Sequence, residues 1–242
     1  MEQANHSNNP RETVRTGGRA VCQQPQQQRG RIIPIIVIIA LDVTGSMGFA
    51  IEAIIRALQR FVDILEEGDL DPYIGLVMFR DELCGEAPEI YPVGTSPEDI
   101  KRILSRTTAS GGGDVPESSL PAIMHGLGLL PDGPADAKRV FLHITDAPPH
   151  DPEAGHTAKS VLDALKQEQV VFFACCPQIE PYTTFVNVTG GTLFPLTGDI
   201  GADAFKDVLL SMAHATVKTM RMDAVGVSDD VRDLLRRTAQ ER

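Results

Sequence analysis

The segment IIPIIVIIALDVTGSMG, residues 32–48, gives the strongest indication of the fold. Its first ten residues are apolar and include one proline, a composition typical of a parallel strand buried on both faces of a sheet. The strand ends at Asp42, and Thr44 and Ser46 follow at intervals of two residues. Three hard oxygen donors therefore come directly after the most hydrophobic stretch of the sequence.

Strand-like runs alternate with helical patterns along most of the chain. After the opening strand, apolar residues recur at helical spacing from about Phe49 to Glu66. The further strands are predicted in YIGLVMFRD, EIYPVG, KRVFLHITD, VVFFACC and GTLFPL, and the further helices after TSPED and over residues 117–130, 156–169, 182–188 and 202–217. This alternation predicts an α/β fold with a doubly wound, mostly parallel six-stranded sheet flanked by helices and one short antiparallel edge strand.

The composition divides the chain into a body and two tails. Residues 1–30 are basic, rich in Gln and without periodic apolar residues, which predicts a disordered tail. Residues 31–217 are expected to form one domain, and residues 218–242 a C-terminal tail that could be helical. The charge follows this division. Residues 1–31 carry a net charge of +3 and residues 218–242 carry +1, whereas residues 32–217 carry −15, which together give the net charge of −11.

The acidic body restricts the classes of partner. It would repel phosphate backbones and attract cations, so we expect no nucleic-acid binding and a preference for metal ions or complementary protein surfaces. The ten-residue apolar run is about half of what a membrane span requires. The adjacent Cys175 and Cys176 lie in an apolar run, as expected of buried thiols in a reducing compartment. We therefore expect a cytoplasmic protein that does not bind membranes.

Three polar stretches are expected to meet at one edge of the sheet. Asp42 ends the first strand, Asp146 ends the KRVFLHIT strand, and the loop SGGGDVPE carries Asp114. Ligands of doubly wound sheets bind beyond the carboxyl ends of the strands, where the winding reverses. Because all the candidate donors are oxygens, the site favours a hard divalent cation, Mg²⁺ first and Mn²⁺ or Ca²⁺ as alternatives.

The motif D-V-T-G-S resembles the D-x-[ST]-x-S signature of von Willebrand factor type A (VWA) domains, which hold Mg²⁺ in a metal-ion-dependent adhesion site. The order of elements matches from Ile32 to about Val217, including the later strand that ends in I-T-D. The resemblance implies that Thr44 and Ser46 bind the metal directly, while Asp42 and Asp146 act largely through water or by accepting hydrogen bonds from the direct ligands.

The middle loop departs from the family pattern. Where the family usually has a threonine ligand, this sequence has Asp114, and its G-G-G-D-x-P-E form resembles a branch near the bacterial and alpha-kinase-associated members. Asp114 also fits a helix N-cap, with Glu117 three residues later completing a capping box. Both roles for Asp114, metal ligand and helix cap, are compatible with the sequence.

The resemblance implies a non-enzymatic, metal-dependent protein-binding module. In such a module, an Asp or Glu of the partner completes the coordination of the metal. Intracellular members of the family often serve as adaptors or complex subunits, with AAA+ ATPases or with kinases and phosphatases.

Two enzymatic alternatives compete with this interpretation. A serine hydrolase could use Ser46 as the nucleophile with Asp146 and either His150 or His156, an order that fits the class although Thr44 replaces the glycine of its nucleophile elbow. A phosphotransferase with Asp42 as the nucleophile would lack the second acid of its motif, because Thr44 occupies that position.

Overall fold

The computed structural model describes residues 33–67, 70–113, 115–196 and 211. It contains a six-stranded sheet in the order β3-β2-β1-β4-β5-β6, in which every neighbouring pair is parallel except β2 and β3. The strands are β1 (Ile33–Asp42), β2 (Leu70–Phe79), β3 (Glu89–Thr95), β4 (Lys138–Ile144), β5 (Val171–Cys176) and β6 (Leu193–Pro195). The predicted α/β fold, with its antiparallel edge strand, is confirmed.

Helices cover both faces of this sheet. They are α1 (Ile51–Glu67), α2 (Pro97–Leu104), α3 (Ser119–Gly128), α4 (Ala158–Gln167) and α5 (Tyr182–Thr189). Buried residues of α1 and α2 belong to one hydrophobic cluster, and those of α3, α4 and α5 belong to a second cluster. The two clusters form the two halves of the core, one on each face of the sheet.

Strand β1 contributes to both halves of the core. Ile35, Val37, Ile39 and Leu41 pack in the α1 cluster, whereas Ile36, Ile38 and Ala40 pack in the α3 cluster, and all seven are fully buried. Successive side chains of a strand point to opposite faces, so a strand covered on both sides has to be apolar at every position. This requirement explains the uninterrupted apolar run, and it places β1 between β2 and β4 in the middle of the sheet.

The helix starts differ in detail from the sequence prediction. A 3-10 helix spans Gly45–Phe49, so α1 begins at Ile51 rather than at about Phe49. Likewise α4 begins after Thr157, whose hydroxyl accepts a hydrogen bond from the amide of Ser160. In both cases hydrogen bonds local to the turn, rather than apolar spacing, determine where the helix starts.

Several other predictions lie outside the described residues. These are the two tails, residues 1–30 and 218–242, and the helix over 202–217, of which only Ser211 is described. The domain boundaries therefore stay a prediction. Cys175 and Cys176 are buried, as expected. Within the described parts of the chain, no helix has the length and apolarity needed to cross a membrane.

Candidate functional site

The candidate site lies at the carboxyl edge of the sheet, where β1 and β4 end side by side. Leu41 pairs with Ile144 in the parallel register, so the residues that follow each strand become neighbours. Asp42 and Thr145 then form a hydrogen bond in which the Thr145 hydroxyl donates to Oδ2 of Asp42 at 2.6 Å. The predicted meeting of the two strand ends is confirmed by this contact.

Asp42 is the buried centre of the site. Its Oδ1 accepts hydrogen bonds from the Thr44 amide at 2.9 Å and from the Thr44 hydroxyl at 2.6 Å. The side chain is fully buried, and burial raises the pKa of its carboxyl although three hydrogen bonds favour the charged form. The carboxylate is thus held rigidly, but its negative charge is poorly solvated.

Ser46 connects the first loop to the loop after β4. The Ser46 and Thr44 hydroxyl oxygens lie 3.0 Å apart, and the Ser46 hydroxyl donates to Oδ1 of Asp146 at 3.0 Å. Asp146 is half-buried, and this burial raises the pKa of its carboxyl. Four of the five predicted site residues, Asp42, Thr44, Ser46 and Asp146, therefore form one continuous group of oxygens.

The fifth predicted residue, Asp114, lies outside the described residues, but the loop before it can be followed to Gly113. Gly111 accepts a hydrogen bond from the Gly45 amide through its carbonyl, and the Gly112 amide donates to Oε2 of Glu86 at 2.8 Å. Gly112 has a φ of +81°, and a Cβ there would lie 3.1 Å from Cβ of Thr44. Only glycine fits this position without strain, because the conformation is left-handed and the loop passes directly over Thr44.

Glu117 lies at the candidate site, although its sequence pattern predicts a helix-capping role. Helix α3 begins at Ser119, so Glu117 precedes the helix, and the capping box predicted for Asp114 and Glu117 is wrong. Instead, the Glu117 amide donates to the carbonyl of Pro148, and its side chain is buried with Oε2 lacking a hydrogen-bond partner. The other carboxylate oxygen, Oε1, lies 3.2 Å from the same hypothetical Cβ of Gly112 that approaches Thr44.

The charge of Glu117 is unfavourable in this position. The pKa of its carboxyl is raised to about 8. Burial is the largest cause, and repulsion from nearby carboxylates is the second, namely those of Asp42, Asp81, Asp146 and Glu86. Asp81 follows β2 and is fully buried, where it accepts hydrogen bonds from the Leu83 amide and the Cys84 thiol. A signal for Asp81 was present in the sequence, since it is a third acid at the end of a predicted strand.

The oxygen spacing fits a magnesium ion. Mg²⁺ binds oxygens in an octahedron at about 2.0–2.1 Å, for which adjacent ligands lie about 3.0 Å apart. The Thr44–Ser46 and Ser46–Asp146 oxygen pairs are each separated by 3.0 Å. The same oxygen pairs are hydrogen-bonded to each other, so their spacing is compatible with a hard divalent cation without distinguishing Mg²⁺ from Ca²⁺.

The candidate site is not a cluster made only of His, Cys, Asp or Glu side chains. Over the described residues, no group of three or more His, Cys, Asp or Glu side chains is arranged to hold a metal. The group found here differs because hydroxyls of Thr44 and Ser46 supply part of the donor set. Such a set suits hard cations and disfavours zinc or copper.

The geometry of a serine hydrolase is not formed by the described residues. The Ser46 hydroxyl donates directly to Asp146, whereas a triad places a histidine between the serine and the acid. Among the described residues, Nε2 of His150 has no hydrogen-bond partner and lies 4.0 Å from Oδ1 of Asp81. His156 makes backbone hydrogen bonds with Glu153. Neither histidine is bound to Ser46.

Comparison with known proteins identifies the family. The model of the von Willebrand factor A domain matches residues 36–196, about two thirds of the chain. The chain belongs to the von Willebrand factor A domain family. The match includes the first loop, the middle loop and Asp146, so the grouping of oxygens described above lies inside the VWA domain.

Similar proteins differ widely in overall size. A 112-residue segment, 46% of this chain, is 28% identical to a protein of Acanthamoeba polyphaga mimivirus named "putative ariadne-like RING finger protein", and the match covers 11% of that protein. Among solved structures, the pilus adhesin SpaC of Lactobacillus rhamnosus GG in its open conformation aligns with a TM-score of 0.54 and 16% identity, over 78% of this chain and 30% of that one.

A second solved structure has the same fold. Proximal thread matrix protein 1 of the mussel byssus aligns with a TM-score of 0.55 and 15% identity, over 75% of this chain and 47% of that one. At these identities the likeness concerns the fold alone. The chain spans less than half of each of these relatives.

Proposed function

We propose that this VWA domain is a non-enzymatic protein-binding module whose binding depends on a divalent cation, with Mg²⁺ favoured over Mn²⁺ and Ca²⁺. Thr44 and Ser46 would bind the cation directly, and Asp42 and Asp146 would bind it directly or through water. The cation would offer an electrophilic position that a carboxylate of the partner can occupy. The module would serve as an adaptor or complex subunit in the cytoplasm.

The observation that carries this proposal is a group of buried carboxyl groups without a positively charged partner. Asp42, Glu117 and Asp146 all have raised carboxyl pKa values, with burial as the largest cause. None of them forms an ion pair with a Lys or Arg of the described residues. Buried carboxylates without a counter-charge are costly, and a bound cation removes that cost.

Hydrogen bonds and burial within the site determine the side from which a partner would approach. The Thr145 hydroxyl fixes Oδ2 of Asp42, which leaves the orientation of that carboxylate independent of the partner. Ser46 is exposed and Thr44 is buried, so the group is reached from the side of Ser46. A partner carboxylate would therefore approach between the first loop and the loop that carries Asp146.

Metal-dependent capture of a partner tests the function. The full chain is immobilised in Mg²⁺ or in EDTA and exposed to extract, next to a Ser46→Ala variant. We expect a protein that is retained only by wild type in Mg²⁺ and is lost when one of its own acids is changed to Asn or Gln. AAA+ ATPases and subunits of kinase or phosphatase complexes are the proposed classes. Equal retention in EDTA would contradict the proposal.

A serine-reactive probe distinguishes the proposed binding module from a serine hydrolase that uses Ser46. We expect a fluorophosphonate to leave Ser46 unlabelled in the folded protein, because no histidine within the described part of the chain contacts its hydroxyl. Labelling that requires Ser46 would contradict the non-enzymatic assignment.

A further inference from the structure

A small basic pocket lies between α2 and strands β2 and β3, and it shares no lining residue with the group of oxygens described above. Its volume is about 250 Å³, and its lining includes three arginines, Arg80, Arg102 and Arg106. Met78 and Ile103 supply apolar lining. Because sites for drug-sized ligands measure about 300–1,000 Å³, this pocket suits one small polar group rather than a whole cofactor.

The charge of the pocket is opposite to that of the domain around it. Residues 32–217 carry a net charge of −15, yet three of their 11 Lys and Arg residues line this one pocket. Of the nine described lining residues, Glu89 is the only acid, so three arginines and one glutamate give the lining a charge of +2. The domain repels an extended polyanion, whereas charges within a few ångströms decide the binding of a small anion.

Arg80 is fixed at the wall of the pocket. Its Nε donates to the Ser110 carbonyl at 2.9 Å, and its side chain is only 18% exposed. Its Nη1 lies 3.5 Å from Oε1 of Glu89, which is the upper limit of a hydrogen bond and makes this contact weak. Glu89 also accepts a hydrogen bond from the Tyr91 hydroxyl. The Arg80 guanidinium is therefore oriented in advance, with donors that a better acceptor can use.

Arg106 and Thr108 add donors that have no partner. Arg106 follows α2 and is exposed, and its guanidinium forms no hydrogen bond or ion pair with the described residues. The Thr108 hydroxyl, also in the lining, has no partner among the same residues. Arg102, by contrast, is paired with Asp99. The pocket thus offers donors from Arg80, Arg106 and Thr108 to one anion.

We propose that this pocket binds a phosphate monoester group, independently of the metal site. Such a group carries a charge of about −1.5 to −2 at pH 7 and has three strong acceptor oxygens, which match the charge of the lining and its three sets of donors. Arginine forks bind two phosphate oxygens at once, and clusters of arginine are a common means of recognising phosphorylated segments. A carboxylate has one charge and two oxygens, so it leaves a donor unused.

Phosphate probes test the inference on the full chain in EDTA, where no divalent cation can hold the phosphate. The probes are inorganic phosphate, acetyl-Gly-phosphoserine-Gly-amide and acetyl-Gly-Asp-Gly-amide, titrated at constant ionic strength and followed by NMR shifts. We expect saturable binding of a phosphate probe, with the largest shifts at the amides of Arg106, Thr107 and Thr108. The Asp peptide should bind about tenfold more weakly, because it forms one charge-assisted hydrogen bond fewer.

Matched variants locate the binding. Arg106→Gln should weaken phosphate binding about tenfold or more, and its exposed, unpartnered side chain is not needed for folding. Glu89→Gln should strengthen binding, because it removes the acid of the lining and releases Arg80. Lys159→Gln changes the net charge as much as Arg106→Gln does, but on α4 at the other face of the sheet, and should alter the affinity less than about twofold.

The source of the phosphate group follows from the two phosphate probes. Tighter binding of the phosphoserine peptide assigns the pocket to a phosphorylated protein segment, and equal or tighter binding of inorganic phosphate assigns it to a small phosphate compound; both support the inference. Equal binding of the Asp peptide, no saturable binding of either phosphate probe, or an affinity that Arg106→Gln leaves unchanged would overturn it. Phosphate binding in EDTA should be the same in Ser46→Ala, so failure here leaves the metal-dependent function untouched.

Discussion

Replacing His143 by Phe should stabilise this protein, and most strongly in mild acid. His143 lies in β4 and is fully buried, and neither of its ring nitrogens has a hydrogen-bond partner. Its ring stacks on Phe79 and Phe172 and contacts Tyr182 at a tilt. Phe preserves this stacking and removes two unsatisfied polar atoms, a change worth about 1–3 kcal/mol, partly offset by about 1 kcal/mol for the larger ring.

The pH dependence of this effect has a definite sign. Burial lowers the pKa of His143 to about 3, well below the 6.5 of the unfolded chain. The unfolded state therefore binds a proton below about pH 6.5 that the folded state refuses, so the stability due to neutral His143 is complete above that pH and is lost as the pH falls. Between about pH 8 and about pH 5 this loss amounts to about 2 kcal/mol.

Urea unfolding of wild type and His143→Phe measures this difference. Both proteins are unfolded in EDTA at the two pH values, so that metal binding does not contribute. All other titrating groups are common to both chains and largely cancel in the difference. We expect the advantage of the variant to grow by about 2 kcal/mol at the lower pH. An advantage that does not change with pH would mean that His143 is protonated or paired in the folded state, contrary to the burial of a neutral ring.

Three further predictions concern the site and the core. Thr145→Val removes the hydrogen bond that fixes Oδ2 of Asp42, and it should weaken Mg²⁺ binding about 10- to 100-fold as measured by calorimetry. Unchanged Mg²⁺ affinity would show that this hydrogen bond does not position the carboxylate. In EDTA, the stability of wild type in urea should fall relative to that of Glu117→Gln as the pH rises from about 5 to 8, because the raised pKa of Glu117 keeps a proton in the folded state that the unfolded state releases, while the contribution of His143 is common to both proteins. Parallel curves for the two proteins would contradict this assignment. In thermal unfolding, Gly126→Ala should lower the free energy of unfolding by about 1–3 kcal/mol, because the new Cβ would lie 2.6 Å from the Phe141 ring. Gly128→Ala should raise it by about 0.5–1 kcal/mol, because a Cβ there meets nothing within 4 Å. Equal effects of the two variants would mean that the backbone shifts at Gly126 to make room for the methyl group.

The sequence was sufficient to predict the sheet because β1 is apolar at nearly every position and β4 has the apolar run Val140–Leu142 followed by Ile144. Only central parallel strands need this composition, so the pattern by itself places the ends of β1 and β4 next to each other. The acid and hydroxyls of the first loop are close in sequence, and their alternate spacing predicts that they share one point. These local features explain why Asp42, Thr44 and Ser46 were predicted and are found together.

Glu117 could not be placed by the same reasoning. A glutamate three residues after an aspartate, before an apolar stretch, is the pattern of a capping box. Its actual position depends on an isolated bridge to Pro149 and on a loop of glycines with positive φ, both of which are long-range or conformational features. No local pattern indicates where such a side chain points, whereas Asp81 could have been found from its place after β2.

Titration calorimetry of the purified chain with Mg²⁺, Mn²⁺ and Ca²⁺ measures whether the oxygens of Asp42, Thr44 and Ser46 bind a divalent cation. The controls are Ser46→Ala and a combined Asp42→Ala, Thr44→Ala and Ser46→Ala variant, each checked for folding by circular dichroism. We expect saturable binding at one site, with Mg²⁺ and Mn²⁺ bound more tightly than Ca²⁺, weakened in Ser46→Ala and lost in the combined variant. If folded wild type binds none of the three ions, or if the combined variant binds them equally well, the metal-dependent mechanism is contradicted.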